Sequence, residues 1–264
     1  MSKISKYLLY EASVQNPKWQ VNYLPQFHQW LTGRAPRSLR EDFCGTGKIS
    51  CEWVKKDPKH TAVALDIDPE ALNYARNVNQ AALPEKARDR VRFIKQNVLK
   101  PTKEKFDFIG VYNFSFYEFH ERSMLLKYAR SVRASLKSKG TFFMELGGGP
   151  GFTEPLAEIK KIRVGKQKFE EAWEQHMFDP ISATCDFSIH FKLPGKAWMN
   201  DVFTYHWRIW TIREVREILI EAGFKKTVVL WETATTRGKG TGEFLPSEDA
   251  PPEHAWIAYV VGVK

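Results

Sequence analysis

The spacing of apolar and polar positions changes character along the chain. From residue 38 to residue 146, short apolar runs alternate with longer stretches at helical period. Strands are predicted at 38–43, 61–65, 90–94, 106–114 and 141–146. The run 106–114, FDFIGVYNF, is almost continuously apolar, as a strand buried on both faces must be. A helix is predicted over 47–57, ended by Pro58. A second opens at Asp68-Pro69, with Asp68 as N-cap and Pro69 at the first helical position. Ala71, Leu72, Ala75, Val78 and Ala82 give it one apolar stripe. A third spans 121–137, with Met124, Leu125, Tyr128, Val132 and Leu136 on one side. Strands and helices in this alternation predict a doubly wound α/β sheet with right-handed crossovers.

Beyond residue 146 the rhythm is different. Three β-prone stretches, near 168–178, 183–193 and 198–209, are separated by the turns FDPIS and LPGK, a pattern that predicts an antiparallel meander. Thr211 and Glu214 form a capping box for a helix running to Ala222 with Gly223 as its stop. Strands at 226–232 and 256–263 follow, joined by the polar, Gly-rich TTRGKGTGEF at 235–244, which reads as a mobile loop. The predicted architecture is a seven-stranded, mostly parallel sheet with a β-meander inserted after the fifth strand and an N-terminal cap segment. In one domain this gives a cap at 1–36, a strand–helix half at 37–150, a β-rich insertion at 151–210 and a C-terminal helix with a strand pair at 211–264.

Composition narrows the class. The 264 residues hold 43% hydrophobic and 27% charged side chains, an ordinary globular balance. No stretch reaches the roughly 20 apolar residues of a membrane-spanning helix, and Glu11 and Gln15 interrupt the N-terminus where a secretory segment would be apolar. Three scattered cysteines make a disulfide framework unexpected and fit a cytoplasmic setting. No cysteine or histidine spacing suggests a metal site. The net charge of +9 suits either an anionic partner or a solvated basic surface.

The stretch that carries chemistry is LREDFCGTG at 39–47. Gly45 and Gly47 permit close backbone approach to a ligand, and the next helix presents free N–H groups. Asp66, with Ile67 beside it, ends the second strand, where a carboxylate can accept from two ribose hydroxyls. Asn97 follows the third strand. All stand at the carboxyl ends of adjacent strands, where open α/β sheets bind ligands. In this the chain resembles the class I S-adenosylmethionine-dependent methyltransferases: EDFCGTG at 41–47 is similar to the family's glycine motif, ALDIDPEAL at 64–72 to its ribose-binding strand end, and VRFIKQNVL at 91–99 to its adenine segment. KSKGTFFMEL and TIREVREILIEAGF also have counterparts. The resemblance covers 39–146 and 211–264. It implies S-adenosylmethionine as cofactor, with Glu41 holding the methionine amino end through the turn and Gly45 and Gly47 along the methionyl and ribose portion. It further implies Asp66 on the ribose, Asn97 and Val98 about the adenine, and Asn113 beside the sulfonium. Phe43 replaces the family's first glycine, so either the turn opens differently or the ring packs onto the cofactor. Asn97 replaces a commoner aspartate. A nicotinamide dehydrogenase fits less well, because Ile49 and Ser50 follow where a third glycine belongs.

The acceptor side is less specific. NFSFYEFH at 113–120 follows the fourth strand and offers Tyr117, Glu118 and His120 as polar participants, with the solvated start of a helix as the plain alternative. Tyr7, Tyr10, Trp19, Tyr23, Phe27 and Trp30 make the N-terminal segment a candidate lid. In the meander, Tyr205 and Trp207 share a face while His206 points away. These rings predict a pocket for a small, even cationic, acceptor. Two alternatives stay open: methylation of RNA or DNA, for which basic runs at 86–105 and 160–168 speak, and a domain that binds the cofactor without turnover, for which Phe43 speaks.

Overall fold

The computed structural model describes residues 4–165, 167–235 and 240–264. In chain order the elements are α1 (Lys6–Ser13), α2 (Pro17–Thr32), β1 (Ser38–Asp42), α3 (Lys48–Lys56), β2 (Thr61–Asp66) and α4 (Pro69–Tyr74), which continues as a π-helical turn over Ala75–Gln80. Then come α5 (Glu85–Arg88), β3 (Val91–Lys95), β4 (Phe106–Val111), α6 (Arg122–Ser135), β5 (Leu136–Gly148), β6 (Leu156–Val164) and β7 (Gln167–Gln175). The chain ends through β8 (Thr184–Lys192), β9 (Trp198–Arg208), α7 (Ile212–Glu221), β10 (Lys226–Ala234), β11 (Gly240–Ser247) and β12 (Trp256–Val263).

The main sheet has the order β11-β10-β12-β5-β4-β1-β2-β3. Its strands β3, β2, β1, β4 and β5 are parallel, and β12, β10 and β11 are antiparallel. It therefore has eight strands rather than the predicted seven. The extra one, β11, takes up the second half of the polar stretch expected to be a loop; residues 236–239 of that stretch lie outside the described residues. Its composition hid it because it is an edge strand: Phe244 alone turns fully inward, and Pro246 is tolerated where no further strand needs its N–H.

The inserted sheet likewise has four strands, β6-β7-β8-β9, rather than three. The strand that was not anticipated, β6, contains part of the basic run at 160–168, and it is exposed or half-exposed along its whole length. Lysine and arginine on such an edge discourage further strand pairing. Two helices not assigned from sequence, α1 and α2, precede the sheet. Leu9 and Tyr10 of α1 pack with Phe169, Ile189 and Phe191 of the inserted sheet. The same helix reaches the parallel sheet's helices through Lys6–Glu70 and through Glu11, which accepts from Asn79. Thus α1 straps the insertion to the α/β half.

The helix after Asp68 departs from its predicted stripe at the π-helical turn. Ala71, Leu72 and Ala75 are buried as expected, but the wider turn rotates Val78 outward to 44% exposure, leaves Ala82 exposed and buries Asn79. Asn79 thereby donates to the Thr46 carbonyl (2.9 Å) and accepts from Lys48 (3.1 Å), which ties the helix to the glycine-containing turn. Met124, expected on the buried stripe of α6, is partly exposed, while Leu125, Tyr128, Val132 and Leu136 are buried.

Candidate active site

Strand order reverses between β1 and β4, so the crevice opens beyond the carboxyl ends of β1, β4 and their neighbours. The turn after β1 keeps three left-handed residues, Phe43 (φ 53°), Gly45 (φ 51°) and Gly47 (φ 62°). The first family glycine is therefore replaced without changing the turn. A phenylalanine held left-handed costs on the order of 1–2 kcal/mol, offset by edge-on contacts of its ring with Phe119 and Tyr128. Gly47 has no such freedom: a Cβ there would run into the Phe93 ring. Main-chain bonds fix the turn to the next strand, from Cys44 N to Leu65 O (2.9 Å) and from Gly45 N to the Asp66 carboxylate (2.7 Å). The other Asp66 oxygen accepts from Asp68 N (2.9 Å), while Asp68 caps α4 by accepting from Glu70 N.

A cavity of about 490 Å³ lies against this turn, lined by Phe43, Asp66, Ile67, Asn97 and Val98 together with Glu118, Tyr205 and Trp207. Five residues expected to hold a cofactor and three expected at the acceptor thus meet in one space. Ile67 is 61% exposed there, an apolar surface beside a carboxylate, as a sugar-linked flat ring requires. Asn97 Oδ1 accepts from Leu99 N (2.9 Å), which fixes the amide and leaves its NH₂ group to donate to a ring nitrogen. These features fit the adenosine portion of S-adenosylmethionine: a carboxylate for hydroxyls, an apolar flank and an amide donor.

Glu41 lies elsewhere. It is buried and accepts from Ser50 N (2.8 Å) and Ser50 Oγ (2.5 Å), so it braces the first turn of α3 and does not line the cavity. Burial pushes its carboxyl up to about 7. On the opposite face of β1, Arg40 and Asp42 form a fully buried bidentate pair (2.6 and 2.9 Å), and Tyr128 donates to the same carboxylate. Neither residue was singled out from sequence, where both read as polar strand positions.

Tyr117 is corrected outright. Its side chain is fully buried and its hydroxyl is taken by the backbone of Gly147, donating to O (2.6 Å) and accepting from N (3.1 Å), so it clamps β5 and faces no cavity. His120 is bonded to the His206 carbonyl (2.7 Å) and is not among the cavity's lining residues. Glu118 does line it, accepting from Trp207 Nε1 (3.1 Å), and burial raises its carboxyl above the usual range.

Past Tyr205 and Trp207 the cavity adjoins a smaller chamber of about 160 Å³, walled by Tyr10, Asn113, Trp173 and the two shared rings. Asn113 stands at the end of β4 with φ 51°, and its N–H donates to Glu145 (3.0 Å). Glu145 lines the chamber too; burial raises its carboxyl to about 7, against the hydrogen bonds from Asn113 N and Tyr259. Sequence reasoning passed over it, although a lone glutamate inside FFMEL was a legible signal. Phe114, Trp173 and Ile257 lead on into an outer vestibule of about 370 Å³ that carries Glu158, Glu232 and Glu253. A further cavity of about 520 Å³ shares no lining residue with these and lies among Lys161, Arg163, Lys168 and Lys192 of the inserted sheet. Among the described residues no helix is long and apolar enough to cross a membrane, and no cluster of three metal-ligating side chains occurs.

Residues 43–140 match a family model described as a methyltransferase domain. No curated protein matches the sequence. Among solved structures, Streptomyces venezuelae DesVI is 16% identical and superposes with a TM-score of 0.73 over 99% of both chains. The amino pentose methyltransferase CalS10 of Micromonospora echinaspora, solved with S-adenosylmethionine bound, is 13% identical with a TM-score of 0.69 over 98% of both. The sugar N-methyltransferase KedS8 of Streptoalloteichus is 14% identical with a TM-score of 0.68, over 100% of this chain and 94% of that one. At such identities the likeness is one of fold, and it runs the full length of the chain, insertion included.

Proposed function

We propose that this chain, whose residues 43–140 match a methyltransferase domain model, is a class I S-adenosylmethionine-dependent enzyme that transfers methyl to a small-molecule acceptor held between α1 and the inserted sheet. The observation that carries this is a shared wall: Tyr205 and Trp207 line both the space against Phe43, Asp66 and Asn97 and a ring-walled chamber of about 160 Å³. The bound cofactor supplies an electrophilic methyl group on a sulfonium. The protein's part is to orient and to exclude water. In this reading Asp66 takes the ribose hydroxyls, Asn97 donates to the adenine ring, Ile67 and Val98 flank it, and the turn at Gly45 and Gly47 borders the methionyl portion. Glu41 and Asn79 act at one remove, by holding that turn. Tyr205 and Trp207 stand between cofactor and acceptor.

Two of the structural neighbours are named for sugar acceptors, which supports the same broad class here. Cytoplasmic residence is the matching reading, since Cys44, Cys51 and Cys185 are buried free thiols. RNA or DNA methylation is tested directly by offering labelled cofactor with total RNA, DNA and a metabolite extract at low and moderate salt. The expected result is a labelled small molecule with little salt dependence. Salt-sensitive labelling of RNA or DNA, with none in the extract, would replace the small-molecule reading, because phosphate contacts give a steep fall of affinity with salt.

A further inference from the structure

The approach to the chamber carries the wrong sign for a protein of net charge +9. Among the described residues its outer vestibule has Glu158, Glu232 and Glu253 against one cation, Lys160, which already pairs with Glu158 at 3.2 Å. At the inner end stands Glu145, facing the rings of Tyr10, Trp173, Tyr205 and Trp207. Tyr10 stands with Tyr205 and Asn113 in the wall of the same chamber. A carboxylate inside an aromatic box, reached through an acidic mouth, is complementary to an organic cation: rings attract it through their faces and the carboxylate pairs with it. The same arrangement repels phosphate and carboxylate.

We propose that the acceptor is a cationic amine, and that Glu145 binds its ammonium group in this box and takes its proton before methyl transfer. The proposal rests on the methyltransferase reading above. An ammonium N–H breaks as its proton passes to the Glu145 carboxylate, and the nitrogen regains its lone pair. That pair forms the new N–C bond while the methyl–sulfur bond breaks, its electrons remaining on sulfur. The proton then leaves Glu145 for water. A group titrating near neutrality suits both halves of this exchange, and burial holds Glu145 at about 7. The titratable groups that interact with it are Tyr10 from α1, Tyr112 just after β4, Tyr117 from the turn before α6, Glu232 from β10 and Tyr259 from β12. Among the described residues none of these is a cation, so the incoming amine meets no competitor for the carboxylate.

The test uses three probes of one shape and different charge: benzylamine, benzyl alcohol and benzoate, each titrated by calorimetry into the intact protein. Benzylamine should bind at least about tenfold more tightly than the alcohol, benzoate should not bind, and benzylamine affinity should rise between about pH 6 and pH 8 as Glu145 ionises. Glu145→Gln, which keeps an acceptor for Asn113 N–H, should lose about tenfold for benzylamine and lose the pH dependence, with S-adenosylmethionine affinity unchanged. Should that variant fail to fold, the wild-type charge preference and pH profile decide. Equal binding of amine and alcohol, preference for benzoate, or an undiminished pH dependence in a folded Glu145→Gln would overturn the proposal. Failure of the wild-type protein to bind S-adenosylmethionine would instead strike the reading on which it rests, so the two failures are told apart.

Discussion

The two halves of the crevice are assembled in different ways. On the side proposed for the cofactor, Phe43, Asp66 and Asn97 end or follow three neighbouring strands, and backbone bonds fix them: Cys44 N to Leu65 O, Gly45 N to Asp66, and Gln96 N to the Asp66 carbonyl. The acceptor side takes Tyr10 from α1, Glu145 from β5, Trp173 from β7 and Tyr205 from β9, brought together by ring contacts such as Tyr205–Trp207 at 4.4 Å. A site written into one stretch of backbone is specified by its turn. A site built from four distant elements is specified by their tertiary packing, and each ring is its own point of failure. Damage to one half should therefore leave the other half's ligand affinity largely intact.

The most severe way to break that contrast is Asp66→Ala. The change removes the acceptor for two ribose hydroxyls, and charge-assisted bonds of this kind are worth on the order of 2–4 kcal/mol together. S-adenosylmethionine affinity measured by calorimetry should fall accordingly, while benzylamine binding stays near wild type. Parallel losses for both ligands would show that the halves are coupled.

Below that in size is the pH dependence of stability set by Glu41. Its folded carboxyl titrates near 7, above the ordinary 4.5, because burial disfavours the charge. The folded state then binds the proton more tightly than the unfolded chain does, so the proton's contribution to stability is full below about 4.5 and is lost as pH rises through about 7. The loss should be on the order of 1–3 kcal/mol. Glu41→Gln, which keeps an acceptor for Ser50, should flatten urea unfolding free energies measured from pH 4.5 to 7.5. An unchanged slope would assign the effect to Glu145 instead.

How much of this was legible follows the same division. The β1 turn, Asp66 and Asn97 could be read because their chemistry lies within a few residues of a strand end. The hydrophobic pattern likewise located every parallel strand. It missed β6 and β11, whose edge positions allow lysines, glycines and a proline where central strands need apolar side chains. It also misjudged Tyr117, since nothing in NFSFYEFH reveals that the hydroxyl is spent on Gly147. The convergence of Tyr10 with Glu145 joins residues far apart in sequence through the seating of α1 on the inserted sheet, and no local pattern encodes that. The π-helical turn at Ala75–Gln80 is a further case: the stripe continued in sequence, but the extra residue turned Asn79 inward.

A smaller effect sharpens the acceptor side. Tyr10→Phe keeps the ring and deletes the hydroxyl that interacts with Tyr205 and Asn113 in the chamber wall. Turnover of an amine acceptor should fall by about tenfold, the worth of one or two buried hydrogen bonds, with S-adenosylmethionine affinity unaffected. A fall in cofactor affinity of the same size would mean that α1 closes over both ligands together.

The smallest expected effect is the most exacting check on the register of β2. Asp68 also lines the 490 Å³ cavity, two residues from Asp66, so position alone does not separate them. Their hydrogen bonds do. Asp68 Oδ1 accepts from Glu70 N at 2.8 Å as the N-cap of α4, and Oδ2 is approached by the Tyr7 hydroxyl at 3.4 Å. Both carboxylates are engaged at both oxygens, but Asp66 accepts from the backbone of the glycine turn and of the strand end (Gly45 N and Asp68 N), whereas Asp68 opens α4 and fastens α1. Asp68→Ala should cost about 1 kcal/mol of stability, the ordinary worth of an N-cap, and should change S-adenosylmethionine affinity far less than Asp66→Ala does. Thermal unfolding and calorimetry on the same two variants give the comparison directly. Were affinity to track Asp68 instead, the ribose would be held at the first turn of α4 rather than at the end of β2, and the backbone-built half of the crevice would lie one helical cap further along the chain.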